Sequence, residues 1–250
     1  PPRLTNPGEV LQNFADKTKL LKFENGATYK GEVDSKNQRN GYGVQQWVDG
    51  SKYTGNWVND RATGFGKLEH ADGDVYEGEW LDDKACGKGV YVSSSGTRYD
   101  GDWKDDLQDG FGHEEWGDGA VYDGHYVRGK KQGKGKISFS DQSYYEGELM
   151  NNEIEGYGVY VWANKKRYEG EWKANKMHGK GKTVWVDGKE HIGEYLLDKR
   201  DGYGIYKWPD GRVYEGYFKE GKQHGEGKFT DLDKNEKFGV WNMGVLKNWK

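Results

Sequence analysis

Apolar and polar positions alternate along this chain in short runs. In Tyr76-Glu-Gly-Glu-Trp80 the aromatics and the glycine fall on one parity and the acids on the other, which predicts a strand with one buried face. A second run with the same alternation extends from Gly87 to about Val92, so the two together predict a β-hairpin. The pair recurs. Tyr29, Tyr53, Tyr76, Tyr99, Tyr122, Tyr145 and Tyr168 are followed at the same step by His191, Tyr214 and Lys237, an interval of 23 residues except for a first interval of 24. Two residues after each stands a glycine, from Gly31 and Gly55 to Gly216 and Gly239, and two further on the slot is mostly aromatic, as at Trp57, Trp80, Trp103, Tyr126, Trp172, Tyr195, Phe218 and Trp241. A G-x-G closes nine units, from Gly41/Gly43 to Gly225/Gly227. A fixed period of this size outranks any element-by-element reading.

Asp49-Gly50, Asp72-Gly73, Asp118-Gly119, Asp187-Gly188 and Asp210-Gly211, with Asn25-Gly26, sit between strands and read as two-residue turns in which both residues take positive φ. The other connection, such as Leu81 to Cys86, reads as the longer, polar one. Short connections throughout pair neighbours in order. The expected fold is therefore all-β, an elongated single-sheet antiparallel meander of stacked hairpins, roughly 85 Å long at about 4.8 Å per strand. Glycine two residues after each tyrosine leaves a ring room to lie on the sheet, since no Cβ blocks it. The expected divisions are an N-terminal segment and capping half-repeat at 1–23, nine repeats at 24–235, and a partial tenth repeat with a C-terminal cap at 236–250.

The unit Y-x-G-x-W…G-x-G…D-G, as in Tyr76-Glu-Gly-Glu-Trp80, Gly87-Lys-Gly89 and the preceding Asp72-Gly73, resembles the MORN repeat (membrane occupation and recognition nexus). Departures are His191 and Lys237 in the tyrosine slot and Leu149 and Val33 in the tryptophan slot. Gln142, Lys165 and Lys234 replace the turn glycine, and looser turns are expected there. The resemblance implies arrays that serve in ciliary and cytoskeletal assemblies, radial spoke heads among them, in junctional membrane proteins, and beside lipid-kinase or methyltransferase domains. A chain made almost wholly of repeats is most similar to the cytoskeletal and radial-spoke type. That implies a cytoplasmic, cytoskeletal place in a ciliary or flagellar axoneme and protein partners in a multi-subunit assembly, with pairing to another repeat protein as a further option.

Composition agrees with the repeat. Gly supplies 40 of 250 residues, aromatics reach 15%, and Pro is only 4, so folding rests on aromatic burial more than on an aliphatic core. No apolar stretch approaches the roughly 20 residues that span a bilayer, and the first residues lack a hydrophobic signal core, so a soluble, intracellular chain is expected. Pro1 in place of Met leaves room for a processed chain or a portion of something longer. Cys86 is the single cysteine, which excludes an internal disulfide. The formal net charge of −4 argues against nucleic acid as partner, because phosphate binding needs a concentrated positive footprint.

Chemistry is sparse. Gly181-Lys182-Thr183 ends like a phosphate-binding loop, but the position five residues earlier is Lys176 and no strand-to-helix context follows. His178, His224 and Cys86 share one slot before the G-x-G in units far apart, which suggests no metal ligand set. The paired acids Glu77/Glu79, Asp100/Asp102, Glu146/Glu148 and Glu169/Glu171 recur as a solvated column rather than one distinctive pocket, so no general acid/base pair is read there. No catalytic residue, cofactor or metal is expected, and the chain is read as no enzyme. Lys88, Lys134/Lys136, Lys180/Lys182 and Lys228 share the acids' face, where cross-strand ion pairs are expected. Tyr42, Phe65, Phe111, Tyr157 and Tyr203 interrupt that face and are the candidate partner contacts. Charge is uneven: residues 29–121 hold 10 Lys/Arg against 19 Asp/Glu, and 122–190 hold 13 against 10. The clusters Arg128, Lys130, Lys131 and Lys165, Lys166, Arg167 are candidate anionic-lipid contacts. The reading taken is a non-catalytic scaffold for protein–protein interaction. The alternatives are a membrane-tethering lipid binder, which is not favoured, and the accessory repeats of a larger enzyme.

Overall fold

The computed structural model describes residues 18–250; residues 1–17 of the expected N-terminal segment lie outside the described residues. All the regular structure described is strand, and every strand pair is antiparallel between neighbours in the chain. The described residues form two compact units, residues 18–117 with 127–129, and residues 118–126 with 130–250. In the first, strands run from Thr18–Lys22 to Leu107–Glu115; in the second, from Val121–Val127, all but its last residue, to Val245–Trp249.

Each hairpin pairs glycine with glycine: Gly55 faces Gly66, Gly66 faces Gly78, and Gly78 faces Gly89. The same row of bare backbone crosses the second unit, for example Gly170, Gly181, Gly193 and Gly204. Tyrosine rings occupy that row. A Cβ on Gly66 would stand 2.2 Å from the Tyr53 hydroxyl, and one on Gly55 would stand 2.5 Å from Gly66 Cα. Tyr29, Tyr53, Tyr99, Tyr145, Tyr168 and Tyr214 are accordingly buried. Rings from the tyrosine's own strand and from the next hairpin meet it edge-on, indoles in both places at Tyr53 and Tyr76, and Phe218 or Tyr195 in one of them at Tyr214 and Tyr168. Tyr53 is 5.0 Å from Trp57 and 5.2 Å from Trp80, and Tyr76 is 5.1 Å from Trp80 and 5.0 Å from Trp103. Such edge-to-face contacts add about 0.5–1.5 kcal/mol each beyond the area they bury.

Within the hairpins the register slips after the glycine of the tyrosine-bearing strand, between Gly55 and Trp57 for instance, and it runs straight where one hairpin pairs with the next. This bulge turns one carbonyl inward, and the tyrosine satisfies it: the hydroxyls of Tyr29, Tyr99 and Tyr145 donate to the carbonyls of Glu32, Asp102 and Glu148 at 2.7–2.9 Å. The indole N–H of Trp80 donates to Gly66 O, and that of Trp103 to Gly89 O. Burial raises the tyrosine pKa values, that of Tyr29 to about 12, so these donors keep their protons.

The two kinds of connection are the reverse of the expectation. The Asp-Gly connection is the longer one. Trp47 N–H bonds Ser51 O and Gly50 N–H bonds Trp47 O, and of the Asp49-Gly50 pair only the glycine takes positive φ, at 97°. That is a three-residue loop with a left-handed third residue. The acidic connection is the two-residue turn. Leu81 faces Lys84, and Asp82 and Asp83 have φ of 49° and 67°. Residues other than glycine hold this geometry because the preceding hairpin grips it. Asp83 N–H donates to Ala62 O, while its carboxylate accepts the Ala62 N–H at 2.7 Å. Asp60, Asp106, Asn152, Asn175 and Asp198 repeat the latch, each to the residue 21 positions earlier. The expected loosening where the turn glycine is missing is also not found. Gln142, Lys165 and Lys234 adopt φ of 66–72° and keep the hydrogen bond of the glycine turns.

Candidate functional site

In each unit the face opposite the buried rings carries the acids, the lysines and the candidate aromatics, Tyr42, Phe65 and Phe111 in the first and Tyr157 and Tyr203 in the second. Each of those aromatics follows a positive-φ glycine of the G-x-G, such as Gly41 (108°) and Gly202 (105°). An acid from the paired strand caps the kink at Tyr42, Phe111 and Tyr203, where Glu32, Asp102 and Glu194 accept the aromatic's N–H, and Glu79 does the same for Lys88 N–H; at Phe65 the amide of Asn56 donates to the carbonyl instead. These column acids are therefore held against the backbone, and the aromatic beside each kink projects outward. Tyr42, Phe65, Phe111, Tyr157 and Tyr203 are 56, 56, 50, 53 and 44% exposed. Lys88 pairs with Asp102 at 2.6 Å and Lys228 with Glu215 at 3.2 Å, as cross-strand pairs should.

Apolar surface gathers on the outer face of the second unit. Tyr203 and Tyr217 meet edge-on at 5.4 Å. Tyr203 donates to Glu215 at 2.9 Å and Tyr157 to Glu169 at 3.2 Å. The bond from Tyr203, with Lys228 beside it, holds the Glu215 carboxyl below its ordinary range. A groove of about 610 Å³ runs over the glycine row between Tyr157 and Tyr203, walled by Ile192 and Ile205. A second, of about 650 Å³, continues past Tyr203 to Tyr217 and Phe238. Tyr217 and Phe238 were not among the sequence candidates. The signal for them was parity: Tyr217 stands three residues after Tyr214, on the face where other repeats place Glu or Asp.

The basic clusters are not brought together. Lys130 and Lys131 begin a strand at the two-residue-turn edge, whereas Lys165, Lys166 and Arg167 lie at the opposite, glycine-loop edge of the same unit. Lys131 Nζ lies 5.1 Å from the Tyr122 ring centroid and 5.2 Å from that of Tyr126. Lys166 Nζ sits 3.9 Å over Trp162, and burial lowers its pKa. Arg167 pairs with Glu169 at 2.7 Å. Arg128 occupies a turn at φ 48°, its N–H given to Asp109.

The slot shared by Cys86, His178 and His224 has a structural use. Its side chain takes the N–H of the first turn residue 19 positions later: Thr63 from Asp82, Glu155 from Ala174, Asp201 from Glu220 and His224 from Met243. Cys86 is half-buried, and burial raises its thiol pKa. Among the described residues no group of three His, Cys, Asp or Glu is placed to hold a metal ion, and no helix is long and apolar enough to cross a membrane.

The family model for the MORN repeat matches nine consecutive segments, at residues 29–52, 53–75, 76–98, 99–121, 122–144, 145–167, 168–190, 191–211 and 214–235. Among curated proteins no relative matches. Among solved structures the chain is similar to the wild-type TCP10 domain of Danio rerio CPAP in complex with a peptide of Danio rerio STIL. The identity is 12% and the TM-score 0.50, over 93% of this chain and 98% of that one. The wild-type TCP10 domain of Danio rerio CPAP is similar at 14% identity and TM-score 0.44, over 87% and 96% of the two chains. At 12% identity the first of these likenesses is one of fold.

Proposed function

Because the chain belongs to the MORN-repeat family, we propose that it is a non-catalytic scaffold that holds other proteins in a cytoskeletal assembly such as the axoneme of a cilium or flagellum. The observation that carries the reading is the outer face of the second unit. Tyr157, Tyr203, Tyr217 and Phe238 stand 44–56% exposed around grooves floored by glycine. Exposed rings beside bare backbone give a partner segment both apolar contact and close approach. Acids and lysines along the same face supply orientation. The TCP10 domain of similar fold, whose structure holds a peptide of STIL, supports the idea that a sheet of this kind can take a protein segment as ligand.

The test replaces Tyr157, Tyr203 and Tyr217 by serine in the full chain expressed in ciliated cells. Detergent-extracted axonemes are then analysed by quantitative cross-linking. Wild-type chain should remain in the extracted axoneme with reproducible cross-links from Lys180, Lys182 and Lys228. The triple variant should lose both while its thermal melt is unchanged. Equal retention of the variant, or wild-type chain wholly in the detergent supernatant, would refute the reading.

A further inference from the structure

Nine two-residue turns among the described residues share the backbone bond to the residue 21 positions earlier; at three of them, ending in Gly129, Gly221 and Gly244, no side chain completes the grip, and of these only Gly221 faces an arginine. Arg39 shows the complete arrangement. Its backbone N–H and its Nε both donate to Asp60 Oδ1, at 2.8 and 3.2 Å, and Nη2 donates to Asp60 O. Its guanidinium lies 4.0 Å from the Trp57 ring centroid.

Arg200 is the other arginine in this slot. It too lies among rings, 5.0 Å from the Tyr206 centroid and 5.2 Å from that of Phe218, and its Nη2 likewise donates to the carbonyl 21 residues on, that of Gly221. Gly221 stands where Asp60 stands in the first repeat, and it has no carboxylate. No Asp or Glu lines the pocket of about 330 Å³ that opens at this point, whereas Lys189 and Lys222 border it. Lys189 is matched by Asp187 at 2.6 Å; Arg200 has no such counter-ion among the described residues. Burial lowers the Arg200 pKa below its ordinary value, as expected of a cation taken out of water without an anion.

We propose that the pocket at Arg200 is a binding site for a carboxylate presented by an acidic segment of a partner protein, which takes in trans the place that Asp60 fills in cis at Arg39. The chain itself contains the geometry of the bound state, because the Arg39–Asp60 pair shows one carboxylate oxygen accepting from both the backbone N–H and Nε. Gly221 leaves the volume of a side chain open between its own turn and Arg200. The rings around the guanidinium exclude water from its faces, so an incoming anion meets a partly desolvated donor.

The site can be titrated without knowing the partner. Isotope-labelled full-length chain is titrated with sodium acetate, and in parallel with sodium phosphate and with sodium chloride at matched ionic strength, while the Arg200 N–H and Nε–H, the Gly221 N–H and the Trp208 indole resonances are followed. Acetate should give saturable shifts at Arg200 and Gly221 that chloride does not. Gly221→Asp should abolish the titration and raise the melting temperature, since Asp198, at φ 72°, already holds the equivalent turn position. Arg200→Gln, which places there the residue found at Gln108 and Gln223, should abolish the titration as well. The proposal fails if acetate moves these resonances no more than chloride, if Gly221→Asp titrates like wild type, or if phosphate saturates the site and acetate does not.

Discussion

His191 stands where other repeats have tyrosine, and its replacement by tyrosine should stabilise the eighth repeat. The imidazole is fully buried, and neither ring nitrogen has a hydrogen-bond partner. The glycine floor that accepts a tyrosine is already in place, with Gly193 and Gly204 within 3.0 Å of ring atoms at their ideal Cβ positions. Tyr195 and Phe218 meet the ring edge-on at 5.3 and 4.8 Å, as indoles meet the tyrosines elsewhere. A tyrosine hydroxyl would reach the Glu194 carbonyl as Tyr168 reaches that of Glu171, a gain of about 1 kcal/mol, and removal of unpaired buried nitrogens adds about 1–3 kcal/mol. The acid limb carries the sharper signature. Burial, with Arg200 nearby, depresses the His191 pKa from 6.5 to about 3. The unfolded chain therefore binds a proton below about 6.5 that the folded chain refuses. This contribution to stability is intact above pH 6.5 and is lost as pH falls towards 3. Wild type should lose about 1.4 kcal/mol per pH unit from this group, about 2 kcal/mol between pH 6.5 and 5, and His191→Tyr should lose none of it. Because repeat arrays can open locally, hydrogen exchange of the amides in Glu190–Leu196 is the direct assay, with urea denaturation as its global counterpart. Parallel pH profiles for the two proteins, or a variant no more protected than wild type at pH 7, would refute the reasoning.

Other substitutions probe separate parts of the design. Gly66→Ala sets a methyl 2.2 Å from the Tyr53 hydroxyl and should cost about 3 kcal/mol or more in denaturant titrations, whereas Lys84→Ala, on a solvent-exposed ion pair with Asp105, should stay within about 0.5 kcal/mol. Asp83→Gly keeps the left-handed turn but removes the acceptor of the Ala62 N–H; a loss of about 1–2 kcal/mol is expected, and an unchanged midpoint would show that the backbone bond alone holds the turn. Lys166→Glu should lower the melting temperature, because the ammonium is packed over Trp162. It should leave co-sedimentation with phosphatidylserine vesicles at its wild-type level, and selective loss of vesicle binding with an unaltered melt would instead make Lys166 a lipid contact.

The hairpin repeat, its buried parity and the pairing of rings with glycine were legible in the sequence because they depend on residues two or 23 positions apart. The turns were not. Leu197 and Ala174 do not favour positive φ in isolation, and neither turn contains a glycine; they adopt it because Met177 and Ile154, two strands earlier, exchange hydrogen bonds with the second residue of each turn. A preference measured on four consecutive residues cannot register a grip that spans 21. The same limit applies to the outer surface. Tyr157 and Tyr203 could be assigned to it by alternation, but Lys131 and Lys166, read as candidate lipid contacts, could not be told from solvated charges until the fold set them against Tyr122, Tyr126 and Trp162.

The joins between hairpins are alike in chemistry as well as in spacing. Tyr53 meets Trp80 from the following hairpin as Tyr76 meets Trp103, and the turn grips at Ala62 and Ala85 use the same atoms. Deleting residues 76–98 would offer Trp103 to Tyr53 and Asp106 to Ala62, so a whole cassette can be lost or duplicated by recombination without any new contact being invented. A single inserted residue has the opposite effect: it reverses inside and outside for the rest of its strand. Such a gene can change the length of its product readily in steps of 23 codons and hardly at all in steps of one.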